Sequence, residues 1–101
     1  MSHYRSKKLL KSADGQTCVL CGRCDGTVVA AHANSVALGK GRGIKCPDYY
    51  TAWVCRQCHD QIDGRIPMQF TWAKTPHELW EVAFIRTVGQ WFQQGIITVT
   101  R

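Results

Sequence analysis

Cys55-Arg-Gln-Cys58-His59-Asp60-Gln61-Ile62-Asp63 is the stretch that decides how this chain is organised. It holds two cysteines at two-residue spacing, then a histidine, then a carboxylate four positions past that histidine. Upstream, Cys18-Val-Leu-Cys21 repeats the pair. A Cys-x-x-Cys turn presents two sulfurs to one ion, so two such turns supply the tetrahedral four-thiolate set of a closed structural zinc site. Cys24 lies within reach of the same ion, which leaves Cys18 with Cys24 as the alternative to Cys18 with Cys21. Cys46 has no partner in this pattern and reads as a small buried hydrophobe or a free thiol.

A four-sulfur site does not need His59. If the residues after Cys58 form a helix, His59 and Asp63 stand at i and i+4 on one face. Imidazole nitrogen and carboxylate oxygen suit Mg²⁺, Mn²⁺, Ni²⁺ or a similar ion, so a second, open metal site is expected beside the closed one. Between the cysteine pairs, His32 ends the apolar run of residues 27–32. Because both pairs meet at one zinc, their flanking segments are drawn together and His32 is expected across from the His59 helix. There it would act as a general base toward water, while the ion on His59 stabilises charge on a phosphate.

The 101 residues fit a single domain, 1–101, near the size at which burial alone gives a narrow margin of stability. Structural zinc contributes an apparent binding free energy of about 10–16 kcal/mol in small domains, enough to change that balance. No stretch approaches 18 apolar residues, and the start has no long apolar run, so neither a membrane span nor a secretory signal is expected. The reading is a cytoplasmic protein in a reducing compartment, where paired cysteines bind metal rather than form disulfides. Net charge is +6, and residues 1–65 carry ten of the 13 basic groups, which points to a polyanionic partner. Lys40, Arg42 and Lys45, set among glycines, are the candidates for following a phosphate backbone.

Coarse structure follows from local signals. Residues 5–12 predict a short basic helix ended by Asp14-Gly15. Residues 16–20 and 27–32 predict a small hairpin around the first cysteine turn. A flexible loop is expected over 38–45, followed by Pro47-Asp48 and the apolar run leading to Cys55. Thr75-Pro-His-Glu78 has the form of a capping box with proline at the first helical position, and Gly95 offers the left-handed stop. Leu79, Val82, Ala83, Ile85, Arg86, Val88 and Phe92 trace a broad apolar side of that helix broken by polar positions, with Trp80 and Trp91 adding core area. Residues 96–100 read as an edge strand, and His3 and His77 as surface or structural residues.

The order His32, Asp48, Cys55-x-x-Cys58-His59 resembles the HNH endonucleases, whose ββα-metal site carries a base histidine on a hairpin strand and a metal-binding histidine on the following helix. More narrowly, the chain is similar over about residues 5–98 to the small phage- and prophage-encoded nucleases of the YbcO type. Ala31-His32, the loop 39–43 leading to Pro47-Asp48, the Cys55-to-Asp63 stretch and the Gln94-Gly-Ile-Ile97 helix end carry the likeness. The resemblance implies a small zinc-stapled α+β domain with an additional C-terminal helix, in a bacterial host. It also implies catalytic roles for His32, Asp48 and His59, with Asp48 in a position usually taken by Asn and orienting the base. DNA is the implied substrate, and phage recombination or replication proteins are implied partners. Many HNH sites have a metal ligand just before the base, where this chain has Ala31, so Asp63, Asp60 or substrate phosphate has to replace it. The expected activity is metal-dependent hydrolysis of DNA phosphodiesters. The alternative is a non-catalytic zinc-stabilised module that binds DNA or protein.

Overall fold

The computed structural model describes residues 4–99. His3 and Thr100 lie outside that range. Along the chain run α1 (Lys7–Lys11), β1 (Val29–His32), a short 3₁₀ turn (Val36–Leu38), β2 (Thr51–Val54), α2 (Arg56–Ile62) and α3 (Pro76–Gln93). The result is a small α+β arrangement of two antiparallel strands and helices, with no described helix long and apolar enough to cross a membrane.

β1 pairs with β2, Val29 opposite Val54 and His32 opposite Thr51. The expected partner, residues 16–20, forms no strand. Its backbone is committed to the cysteine turn, in which Gly22 N donates to Cys18 O at 3.0 Å and Cys18 N to Arg23 O at 2.8 Å. The true partner is Thr51-Ala-Trp-Val54, buried at every position, which removes the in/out alternation that advertises a half-exposed strand. Of the loop expected over 38–45, Leu38 ends the 3₁₀ turn and residues 39–45 form the loop, with a tight Gly41–Ile44 bridge.

α1 starts on Ser6, whose hydroxyl accepts from Leu9 N, and buries Leu9. α3 starts on Thr75, whose hydroxyl accepts from Glu78 N at 3.1 Å. Glu78 reaches back to Lys74 N rather than to Thr75 N, one residue outside the expected box. At the far end Gly95, at φ 71°, lets Ile96 N bond to Trp91 O at 2.8 Å and Gly95 N to Phe92 O at 3.2 Å. That closure folds residues 96 and 97 back onto the helix, so the described part of the expected terminal strand is not a strand.

The buried stripe of α3 is Leu79, Trp80, Ala83, Thr87 and Trp91, whereas Ile85 and Phe92 are 68% and 48% exposed. The apolar side traced from sequence was therefore too broad. Trp80 Nε1 donates to Ala31 O at 3.0 Å, and the Trp91 and Trp53 indoles both donate to Ser12 Oγ. Buried tryptophans need such acceptors, and here they tie α3 to β1 and both α3 and β2 to the end of α1.

Thr87 closes the outer edge of β2. Its hydroxyl donates to Ala83 O at 2.8 Å and accepts from Trp53 N at 2.9 Å, while Trp53 O accepts from Val19 N at 3.1 Å. A buried strand edge left unpaired is costly, and here a mid-helix threonine and the Val19 amide satisfy the two backbone groups of Trp53. Thr87→Val keeps the shape and strands the Trp53 N–H, which should cost about 1–3 kcal/mol. Urea unfolding should show a lowered midpoint with an unchanged slope.

Candidate metal centres and active-site cleft

β2 runs directly into Cys55, the N-cap of α2, and Cys58 follows in the first helical turn. These two sulfurs meet those of Cys18 and Cys21 with all four within 4.8 Å of one another, and Cys21 Sγ is 3.6 Å from Cys55 Sγ. A tetrahedral ion bound at about 2.3 Å sets its sulfurs about 3.8 Å apart, so the four could hold a structural metal such as zinc. Cys24 is outside the cluster, exposed, with Sγ 4.0 Å from Gly15 O. Cys46 is fully buried, with its thiol directed to Ser35 O.

Crowding four acidic thiols has electrostatic consequences. The hydrogen bond from Cys58 outweighs burial and holds Cys18 down at about 4. The same bond and burial push the Cys58 thiol up, and burial pushes up Cys21. Without an ion, the cluster therefore favours a thiolate on Cys18 and protons on Cys21 and Cys58. A dication reverses that by making several thiolates favourable at once.

One residue past the cluster, His59 projects from α2. Its Nε2 lies 3.2 Å from Asp63 Oδ2, the i+4 partner. Two donors in neighbouring octahedral positions at about 2.1 Å from an ion are about 3 Å apart, so the pair fits two ligands of one divalent ion. Gly64, at φ 75°, ends α2 and turns Arg65 back over it. Arg65 Nη1 lies 3.1 Å from Asp63 Oδ2 and 3.0 Å from Asp60 Oδ1.

His32, His59 and Asp63 line one cleft of about 490 Å³, together with Asn34, Lys40 and Lys45. Arg42 sits at the tip of the adjoining turn and is not part of the lining. Asp60 faces a different depression, beside Arg23 and Arg56. Ala31 is 2% exposed, alternating with His32 along β1, so the position before the histidine faces the core rather than the cleft. A ligand there has no route to the His59 side.

His32 Nε2 lies 2.8 Å from Asp48 Oδ1. Asp48 is buried, and its other oxygen accepts from Ser6 N at 2.7 Å, with Arg5 Nη1 3.4 Å from Oδ1. Burial pushes this carboxyl up, but the hydrogen bonds from His32 and the Ser6 amide, with the charges of His32 and Arg5, outweigh it and hold Asp48 below the usual carboxylate range. Arg5 also donates to Lys45 O at 3.0 Å and Cys46 O at 2.9 Å, pinning the N-terminal segment to the loop behind the cleft.

Asn34 went unnoticed in the sequence. It accepts from Lys40 Nζ through its side-chain oxygen. The signal was available, because residues two apart in extended chain share a face, and position 34 follows the same face as His32.

The family model described as putative nuclease YbcO matches residues 7–96. This chain belongs to the YbcO family. Membership places it among putative nucleases, so nuclease activity is what the family implies for it. Among solved structures, a putative bacteriophage protein from Escherichia coli K-12 substr. MG1655 is similar to this YbcO-family chain at 32% identity and a TM-score of 0.58. That match covers 86% of this chain and 99% of the other. No curated protein sequence matches.

The sulfur cluster makes a direct prediction about stoichiometry. Purified protein should carry one zinc per chain by elemental analysis, retained by Cys24→Ser and lost by Cys21→Ser. Since binding expels the protons held on Cys21 and Cys58, zinc affinity should fall as pH falls. Retention of full zinc by Cys21→Ser would show that another residue completes the site.

Proposed function

We propose that this chain is a divalent-metal-dependent endonuclease that hydrolyses DNA phosphodiesters in an HNH-like site within one domain spanning the chain. One observation carries the reading: a histidine oriented by a buried carboxylate faces the same lysine-walled cleft as a second histidine paired with an acid. Asp48 accepts the Nε2–H of His32 and thereby selects the tautomer whose Nδ1 is unprotonated. That nitrogen takes a proton from water as the water attacks phosphorus. Lys40 and Lys45 neutralise phosphates along the cleft wall, with Arg42 reaching the flanking backbone. His59 and Asp63 would hold a divalent ion, which when bound would stabilise charge at the scissile phosphate and leaving oxygen; a nitrogen and a carboxylate donor suit Mg²⁺ or Mn²⁺.

A second reading has its own support. With Ala31 turned into the core, the cleft lacks one ligand of the usual HNH set. This favours a non-catalytic zinc module that binds DNA, or an accessory to phage recombination.

One experiment distinguishes them. Plasmid and branched DNA are incubated with protein and Mg²⁺, Mn²⁺ or Ni²⁺, beside His32→Ala and Asp48→Asn of equal zinc content. The nuclease reading expects cleavage by the parent protein and a loss of about 10²–10⁴-fold in His32→Ala, with Asp48→Asn also impaired. Cleavage undiminished in His32→Ala removes that residue from the mechanism. DNA binding without cleavage supports the binding module.

A further inference from the structure

His77 stands at the open end of a row of stacked rings on α3. Its imidazole lies 6.0 Å from the Trp80 indole at 19°, and Trp80 lies 5.1 Å from the Phe84 ring at 7°. Positions 77, 80 and 84 follow the helical repeat, so the row lies along one face. Its middle member is fixed, because Trp80 is buried and its Nε1 is held by Ala31 O. Glu81 Oε1, 3.4 Å from His77 Nε2, restrains the imidazole as well.

The His77 side chain remains 48% exposed and lines a cavity of about 300 Å³ with Asn34, Ile62, Asp63, Gly64 and Pro76. Asn34 and Asp63 also line the His32 and His59 cleft, so a common wall joins the two spaces. The cavity combines a flat aromatic ring that is already oriented, apolar side chains in Ile62 and Pro76, and the Asn34 amide, whose oxygen is engaged by Lys40 and whose NH₂ is a donor. Those are the elements that recognise a nucleobase: a π-face to stack on and a polar group at its edge.

We propose that this cavity receives the unstacked base next to the scissile phosphate, with His77 as its stacking platform. The inference rests on the nuclease reading above. A base seated there has left its own stack, so the site favours single-stranded or branched DNA, where unstacking is already done, over intact duplex. His77 is a positioning residue in this scheme and touches no reacting atom.

The test uses zinc-loaded His32→Ala protein, which keeps the DNA intact, with His77→Ala or His77→Phe added. Binding of a short single-stranded oligonucleotide is read by fluorescence anisotropy beside its fully paired duplex. Loss of base stacking should weaken single-strand binding about ten-fold in His77→Ala, while His77→Phe restores it to within about two-fold and duplex binding changes little. Single-strand binding unaffected by His77→Ala would overturn the base pocket, as would a Phe variant no better than Ala. Failure of the starting protein to bind either DNA would overturn the nuclease reading itself, and the pocket with it.

Discussion

Four cysteine sulfurs drawn to one point are the constraint on which the rest of this molecule depends. Cys18 and Cys21 belong to a turn with no regular structure of its own, and Cys55 and Cys58 begin a helix of only seven residues. Neither piece has enough apolar surface to hold itself in place, since an isolated helix this short is unstable in water. Joined through one ion, which the four sulfurs are placed to hold, they would become a rigid corner. The corner has a consequence for the cleft: β2 enters it at Cys55 and carries β1 alongside, while α2 leaves it with His59 one residue beyond Cys58. Where His32 sits relative to His59 is therefore set by the cluster and by a four-residue strand pairing.

A second tie works from the opposite side. Asp48 is a buried carboxylate whose stabilising partners come from two separate parts of the chain: His32 on β1, and Arg5 with the Ser6 amide at the start of α1. Burying an anion is favourable only with such compensation, and here the compensation also fixes a histidine ring. Arg5 extends the tie to the backbone of Lys45 and Cys46, so the lysine wall and the oriented histidine share a support. Fold stability and the geometry of the cleft are supplied by the same contacts.

Much of this was legible from spacing. Cys-x-x-Cys twice, a histidine directly after the second pair and an acid at i+4 are local patterns, and local patterns survive folding; the cluster, the His59 and Asp63 pair and the capped helix from Thr75 were all readable. Strand pairing was not. Residues 16–20 have strand-forming composition but are taken by the cysteine turn, and Thr51–Val54 hides its strand character by being buried on both faces. Position 31 shows the same limit. Sequence could say that alanine precedes His32, but only the pleat says that the position faces the core. The wall that Asn34 shares with the exposed end of the His77 row became visible only when segments more than 40 residues apart in sequence were brought together.

If the sulfur cluster holds the His32 strand against the His59 helix, an ion placed between those two histidines must sense the loss of zinc. Paramagnetic broadening of histidine ring protons by substoichiometric Mn²⁺ tests it most directly, in zinc-loaded protein and again after zinc is stripped by acid and the pH restored. His59 and then His32 should broaden ahead of His77 in the loaded protein, and this selectivity should vanish when zinc is removed. Equal broadening of all three histidines in the loaded protein, or selectivity that persists without zinc, would contradict it.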